Sequence, residues 1–299
     1  MKVGLIDLGS NSIRLVVYQT IGDQLIKLVN IRQKAQSILY VIDNKMTQEG
    51  IELIVTVLDE LIETAKTFDL DHFKIFATAS LRNIDNTKEA VGAIESMIHH
   101  PIEVLSEKDE TLYGFEGVSK KEPLPPKGLL IDIGGGSLEM TYFENDKAVY
   151  TYPLPVGSLS FYHNHVFELI PTLKEQQDMR EDIRYKFSQI PWLKNIMIDT
   201  IIGIGGSSRA LIRLSRELEH IPIKQTTSII SKKDVEKISK LDIHASKTIL
   251  KATPNRLITI VPAAIMVDEL MSLTKASTFK ASSYGVREGY LFRKILAID

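Results

Sequence analysis

Leu129-Leu-Ile-Asp-Ile-Gly-Gly-Gly-Ser-Leu-Glu139 is the stretch from which the rest of the chain can be read. Apolar residues on both sides of Asp132 read as a buried strand, and Gly134, Gly135 and Gly136 then break it. A carboxylate near the end of a core strand is costly to bury unless something pairs with it. Glycines let the backbone turn sharply, at positive φ where a side chain would forbid it, and bring N–H groups close to an anion. Such an amide-lined turn is an anion site, and phosphate is the usual anion. Asp132 and Glu139 would repel phosphate directly, so they are expected to hold a Mg²⁺ that bridges to it. The plain alternative is a tight hairpin with one solvated acid.

The stretch has a counterpart. Residues 3–14 read Val-Gly-Leu-Ile-Asp-Leu-Gly-Ser-Asn-Ser-Ile-Arg, and aligning Asp7 with Asp132 puts Gly9 on Gly134, Ser12 on Ser137 and Arg14 on Glu139. Both copies follow an apolar run and continue into a second alternating strand, Ile13–Tyr18 and Met140–Phe143. One strand–turn–strand unit used twice, 125 residues apart, is too widely spaced for a short-period solenoid. A duplicated lobe is expected, with a phosphate loop in each half.

Composition sets the frame. The 299 residues are enough for about two domains. The 44% apolar and 25% charged fractions are those of an ordinary globular protein. No apolar run is long enough to cross a bilayer, and Met1-Lys2 leads directly into a strand without a signal-peptide layout, so a cytoplasmic protein is expected. The chain has no cysteine, which excludes disulfides, thiol nucleophiles and thiolate metal sites. The seven histidines show no metal-ligand spacing. The net charge of −2 argues against a nucleic-acid coat. Residues 221–299 nevertheless carry 13 Lys and Arg against 7 Asp and Glu, a modest basic bias able to steer a polyanion.

In order, Lys2–Asp7, Ile13–Thr20 and Gln24–Arg32 read as three strands, the second connection being Ile21-Gly-Asp23. Thr47 caps an amphipathic helix carrying Ile51, Ile54, Leu58, Leu61 and Ala65 on one face. A strand at Phe73–Ala77, a helix from Asn86 to about His99 and a strand at Pro101–Leu105 complete an α/β lobe on a mixed sheet. Ser106 caps a helix at Glu107–Val118 whose first turn holds Glu107, Asp109 and Glu110. These acids either complement the helix dipole or supply a general base. The Pro-rich segment Lys120–Lys127 separates the lobes. Ala148–Pro153 continues the second hairpin, and helices follow from about Leu159 to Leu193. Residues 200–219 then read strand, Gly203-Ile-Gly-Gly-Ser-Ser, helix, which puts Gly205 and Gly206 at a helix N-terminus where anions bind. That glycine turn is neither a Walker A loop nor a dinucleotide fingerprint. Arg256–Leu273 reads as an apolar, buried helix, and a closing helix follows Tyr284-Gly-Val-Arg-Glu-Gly289.

Five segments, Asp7-Leu-Gly-Ser-Asn-Ser12, Ala77-Thr-Ala-Ser-Leu-Arg82, Asp132-Ile-Gly-Gly-Gly-Ser-Leu-Glu139, Gly203-Ile-Gly-Gly-Ser207 and Tyr284-Gly-Val-Arg-Glu-Gly289, resemble in type and order those of the exopolyphosphatase and guanosine pentaphosphate (pppGpp) phosphohydrolase family. The resemblance spans the chain and is to the short, two-domain form. It implies two duplicated ribonuclease H-like (actin-like ATPase) lobes with an interdomain cleft. The first would be residues 1–124 with a returning C-terminal helix at 285–299, the second 125–284. It implies Glu110 as the glutamate that activates water, Arg82 as a phosphate-contacting arginine, Gly9, Ser10 and Asn11 as the first phosphate loop and Gly134, Gly135, Gly136 and Ser137 as the second, and a magnesium site at Asp132 and Glu139 with Asp7. It further implies polyphosphate or pppGpp as substrate and a homodimer. The family pattern near the glutamate has a glycine and an arginine where this chain has Glu107 and Leu112, which bears on substrate preference. A small-molecule kinase and a non-catalytic alarmone- or nucleotide-binding module are the competing readings.

Overall fold

A computed structural model describes the whole chain apart from residues 23, 223–224, 226 and 298–299. It divides into two units, Met1–Glu110 with Lys294–Ala297, and Thr111–Arg293. The sequence reading placed those boundaries at 124/125 and 284/285. Residue 23 of the second connection and the last two residues of the C-terminal segment lie outside the described residues.

In the first unit β1 (Lys2–Leu8), β2 (Ile13–Ile21) and β3 (Gln24–Gln33) form an antiparallel meander, followed by a small hairpin of β4 (Val41–Ile42) and β5 (Lys45–Met46). The next helix, α1 (Gln48–Lys66), is capped by Thr47, whose side chain accepts the Gly50 N–H. It buries the predicted face: Ile54 and Leu58 are fully enclosed, each worth about 1.5–3 kcal/mol relative to exposure. Then come β6 (His72–Ala77), α2 (Ala79–Arg82), α3 (Thr87–Ile98), β7 (Ile102–Val104) and the start of α4 (Glu107–Ser119). The first strand pairs in parallel with β6, and β6 with β7, giving the sheet order β3-β2-β1-β6-β7. The core lies between this sheet and α1 with α3.

The second unit repeats the plan. Here β8 (Lys127–Ile133), β9 (Leu138–Glu144) and β10 (Lys147–Leu154) form the meander, α5 (Ser158–His165) and α6 (Leu173–Ser188) follow, and β11 (Thr200–Ile204) pairs in parallel with β8. After α7 (Gly205–Leu218) come β12 (Ile229–Ser231), α8 (Lys232–Ser239), α9 (Ser246–Ala252), α10 (Ile260–Thr274), β13 (Thr278–Ala281) and α11 (Val286–Tyr290). The order is β10-β9-β8-β11-β13-β12, with β13 parallel to β11 and β12 an added antiparallel edge. Leaving that edge aside, both sheets place the third, second and first strands of a meander beside two parallel strands. The duplication seen in two hairpins thus extends over two whole lobes of mixed α/β structure.

One element departs in detail from its reading. The apolar helix starts at Ile260, after a 3₁₀ turn at Pro254–Arg256, and it carries two buried acids, Asp268 and Glu269. Burying carboxylates is costly without partners. Here Arg180 donates from Nη1 to both, at 2.7 Å each, and Arg184 donates from Nε to Glu269 at 2.6 Å. Two arginines of α6 thereby neutralise two acids of α10.

Candidate active site

In the first unit the predicted residues gather at the C-terminal ends of β1 and β6. Asp7 precedes the β1–β2 turn and stands directly opposite Arg14. The turn is closed by the Gly9 N–H on the Ser12 carbonyl at 3.2 Å. Residues 36–38 clamp it from behind, through Gln36 N–H to the Asn11 carbonyl and Ile38 N–H to the Ser10 carbonyl. Ser10 is buried.

The acids of α4 separate into two roles. Ser106 and Asp109 form a reciprocal cap, in which Asp109 N–H donates to Ser106 Oγ at 3.1 Å and Ser106 Oγ donates to Asp109 Oδ2 at 2.6 Å. Complementing the helix end is therefore Asp109's task. Glu110 points inward, its side chain only 10% exposed, and its Oε2 accepts Arg82 Nη1 at 2.5 Å. Arg82 also donates to the Leu105 carbonyl and to Asn83. Its buried Nη2 has no hydrogen-bond partner among the described residues. That donor is available to an anion, such as a phosphate oxygen, presented beside Glu110.

In the second unit Asp132 and Glu139 face each other across β8 and β9, and the Gly134 N–H closes the turn on the Ser137 carbonyl at 2.9 Å. The described glycines in the left-handed region are Gly22 and Gly205. Close approach is what governs this loop. The N-terminus of α5 donates to it, Ser158 N–H to the Gly134 carbonyl and Leu159 and Ser160 N–H to the Gly135 carbonyl, at 2.9–3.0 Å. A Cβ on Gly157 would collide with the backbone of Gly135, Gly136 and Ser137.

The third glycine turn completes this end. Gly205, at φ 79°, begins α7, and a Cβ there would run into Asp132 Oδ1. The Asp132 carboxylate therefore lies against a helix N-terminus, whose partial positive charge favours it. A Cβ on Gly206 would strike Arg256 Nη2, and Arg256 Nη1 donates to Ser207 Oγ at 2.8 Å. Arg209 follows one turn into α7. Burial pushes its guanidinium below the usual arginine range and nearby Arg287 adds to this, while Asp132 and Glu288 pull the other way. Arg209, Arg256 and Arg287 are the site residues the sequence reading did not single out. Two signals for them existed: Arg209 lies three residues beyond Gly206, and Arg287 lies inside the segment 284–289.

No group of three or more His, Cys, Asp or Glu capable of holding a metal occurs among the described residues. Mg²⁺ asks for one or two carboxylates and completes its shell with water and substrate phosphates. Glu139, 4% exposed, and Asp132 supply such a pair of hard oxygen donors on adjacent strands beside an amide-lined turn. The residues fit the ion. Asp7 belongs to the other unit, where its cross-strand neighbour is a cation.

Two mixed-sheet lobes, each opening on a strand–turn–strand with a polar turn, define an actin-like, ribonuclease H-like protein. Within that class the chain belongs to the Ppx/GppA phosphatase family, whose model matches residues 23–298. It is similar in fold to an exopolyphosphatase from Cytophaga hutchinsonii, with TM-score 0.88 and 18% identity over 100% of this chain and 99% of that one. It is also similar to a Ppx/GppA family member from Aquifex aeolicus, with TM-score 0.81 and 21% identity over 99% and 98%. Among the described residues no helix is long and apolar enough to cross a membrane.

Proposed function

We propose that this phosphatase releases the terminal phosphate of inorganic polyphosphate or pppGpp, with Glu110 as the base that takes a proton from the attacking water. The observation that carries the reading is the division of labour on α4: Asp109 is engaged with the Ser106 cap, while Glu110 is buried against Arg82. A carboxylate not needed by its helix, held in place by an arginine that keeps one donor in reserve, has the makings of a general base beside an anion-binding group.

Phosphoryl transfer asks little covalent chemistry of a protein; positioning and charge neutralisation carry most of the barrier reduction. Arg82 would orient Glu110 and contact a phosphoryl oxygen. The turn at Gly134–Ser137, the amides of Gly205 and Gly206, and Arg209, Arg256 and Arg287 would hold phosphate groups, with Gly9, Ser10 and Asn11 as the second loop. Asp132 and Glu139 would hold Mg²⁺, which when bound neutralises charge on the phosphoryl oxygens.

Phosphate release from long-chain polyphosphate, pppGpp and ATP, together with ATP consumption with and without an added acceptor, tests the reading. Release from either of the first two supports it. ATP consumption that requires an acceptor would identify a kinase, and binding without turnover would identify an alarmone-binding module.

A further inference from the structure

The glycines of the segment 284–289 lie against a helix backbone. A Cβ on Gly289 would stand 2.6 Å from the carbonyl carbon of Tyr113 and collide with its oxygen. A Cβ on Gly117 would stand 2.8 Å from the carbonyl carbon of Gly285 and 3.0 Å from the Gly289 nitrogen. Here α4 and α11 touch backbone to backbone, an approach that only glycine permits. Further contacts fasten the pair. The buried rings of Tyr113 and Tyr290 meet edge to face with centroids 5.8 Å apart. Arg293 donates to the Glu116 carboxylate from Nε at 2.9 Å and from Nη2. Glu288, fully buried, accepts the Gly285 N–H at 2.9 Å and so fixes the start of α11. With no side chain between the two backbones, no soft group can absorb a shift of either helix.

Along α4, Glu110, Gly114 and Gly117 follow one another at four and three residues and therefore share one face. Asp109 sits about 100° further round the helix. Glycine inside a helix opposes helix formation, so Gly114 and Gly117 weaken α4 taken by itself. What Gly117 supplies in return is a fixed seat for the helix. We propose that the Gly117–Gly289 contact is a positioning element: it sets the rotation and the axial position of α4, and so places Glu110, rather than Asp109, beside Arg82. The proposal rests on the reading of Glu110 as the base. A base must stand within hydrogen-bond reach of the proton it takes, and a misplacement of about 1 Å can cost ~10²-fold in rate. The motif at 284–289 thus acts on the chemistry through a backbone, with no contact to the reacting atoms.

A double-mutant cycle, read by phosphate release from the better of polyphosphate and pppGpp, tests this. Gly117→Ala should lower kcat ~10²-fold with KM little changed, because the inserted Cβ pushes the helices apart. In a Glu110→Gln background the same substitution should change kcat by less than about threefold, since no base is left to place. Gly114→Ala, whose Cβ meets the Ile204 Cδ1 at 3.1 Å, should keep the wild-type rate. Where Gly117→Ala does not fold, Arg293→Gln releases Glu116 without adding an atom to the contact. It should lower kcat ~3–10-fold, again only while Glu110 is present. Losses that multiply in the Glu110→Gln background would overturn the proposal while leaving Glu110 as the base. So would a loss in Gly114→Ala equal to that in Gly117→Ala. So would an unchanged kcat in folded Gly117→Ala, or in Arg293→Gln where Gly117→Ala does not fold. A Glu110→Gln enzyme near the wild-type rate would overturn the base and the proposal together.

Discussion

The two hairpins share a backbone and differ in charge. Each is closed by a glycine N–H on the carbonyl of a serine three residues on, Gly9 to Ser12 and Gly134 to Ser137. Each sets an aspartate against a residue of the next strand. In the first that residue is Arg14, with Arg32 beyond it on β3; in the second it is Glu139, with Pro153 beyond it on β10. The backing differs too, a loop at residues 36–38 in one and the N-terminus of α5 in the other. One scaffold thus carries the row Asp7, Arg14 and Arg32 across the strands of the first unit, and the row Asp132, Glu139 and Pro153 across those of the second. Duplication preserved the geometry and left the electrostatics free to diverge.

The largest expected effect separates the two aspartates. Asp132→Asn should lower turnover by ~10²–10³-fold and lose its response to added Mg²⁺, because a preorganised charge at the phosphoryl site is removed. Its stability cost should be at most about 1 kcal/mol, the scale of a lost charge at a helix N-terminus. Asp7→Asn should cost less activity and keep the Mg²⁺ response. Steady-state kinetics across a Mg²⁺ titration compares them, and equal losses would erase the distinction between the hairpins.

Next comes the backing of the second loop. Gly157→Ala forces a Cβ into the backbone of residues 135–137, and overpacking of that kind costs about 1–3 kcal/mol. Thermal unfolding should show it, and KM should rise because the loop itself moves. The smallest effect is a matched pair. A Cβ on Gly9 or on Gly134 would lie 3.3 Å from the serine carbonyl that closes each turn. Gly9→Ala and Gly134→Ala should therefore have similar stability changes, each within about 1 kcal/mol. A large difference between them would show that the turns are not equivalent.

What could be read in advance follows from the range of the forces involved. The strands, the Thr47 and Ser106 caps and the buried face of α1 depend on residues within one element or its flank, and local spacing reveals them. The hairpin duplication was legible because the same local pattern occurs twice. Asp268 and Glu269 were submerged in an apolar helix, since their partners Arg180 and Arg184 lie more than eighty residues away. Separation along the chain also hid Arg256, which reaches Ser207 across 49 residues. At Gly134–Gly136 the glycines were visible but their reason was not. A sharp turn and close approach of amides to a ligand were the expected reasons; the contact the spacing could not show is that of Gly157, packed against the backbone of residues 135–137. Glu107, Asp109 and Glu110 could not be ranked from composition, because only burial and the direction of each side chain tell a cap from a candidate base.

That ranking is what the account most depends on, and one pair of variants tests it. Glu110→Gln and Asp109→Asn each remove one negative charge from the first turn of α4. Measured by phosphate release at saturating substrate, Glu110→Gln should lower kcat by ~10²–10⁴-fold with KM little changed. Asp109→Asn should stay near the wild-type rate and lose about 1 kcal/mol of stability through its weakened cap. Equal, small effects on kcat would contradict the assignment of Glu110 as the base.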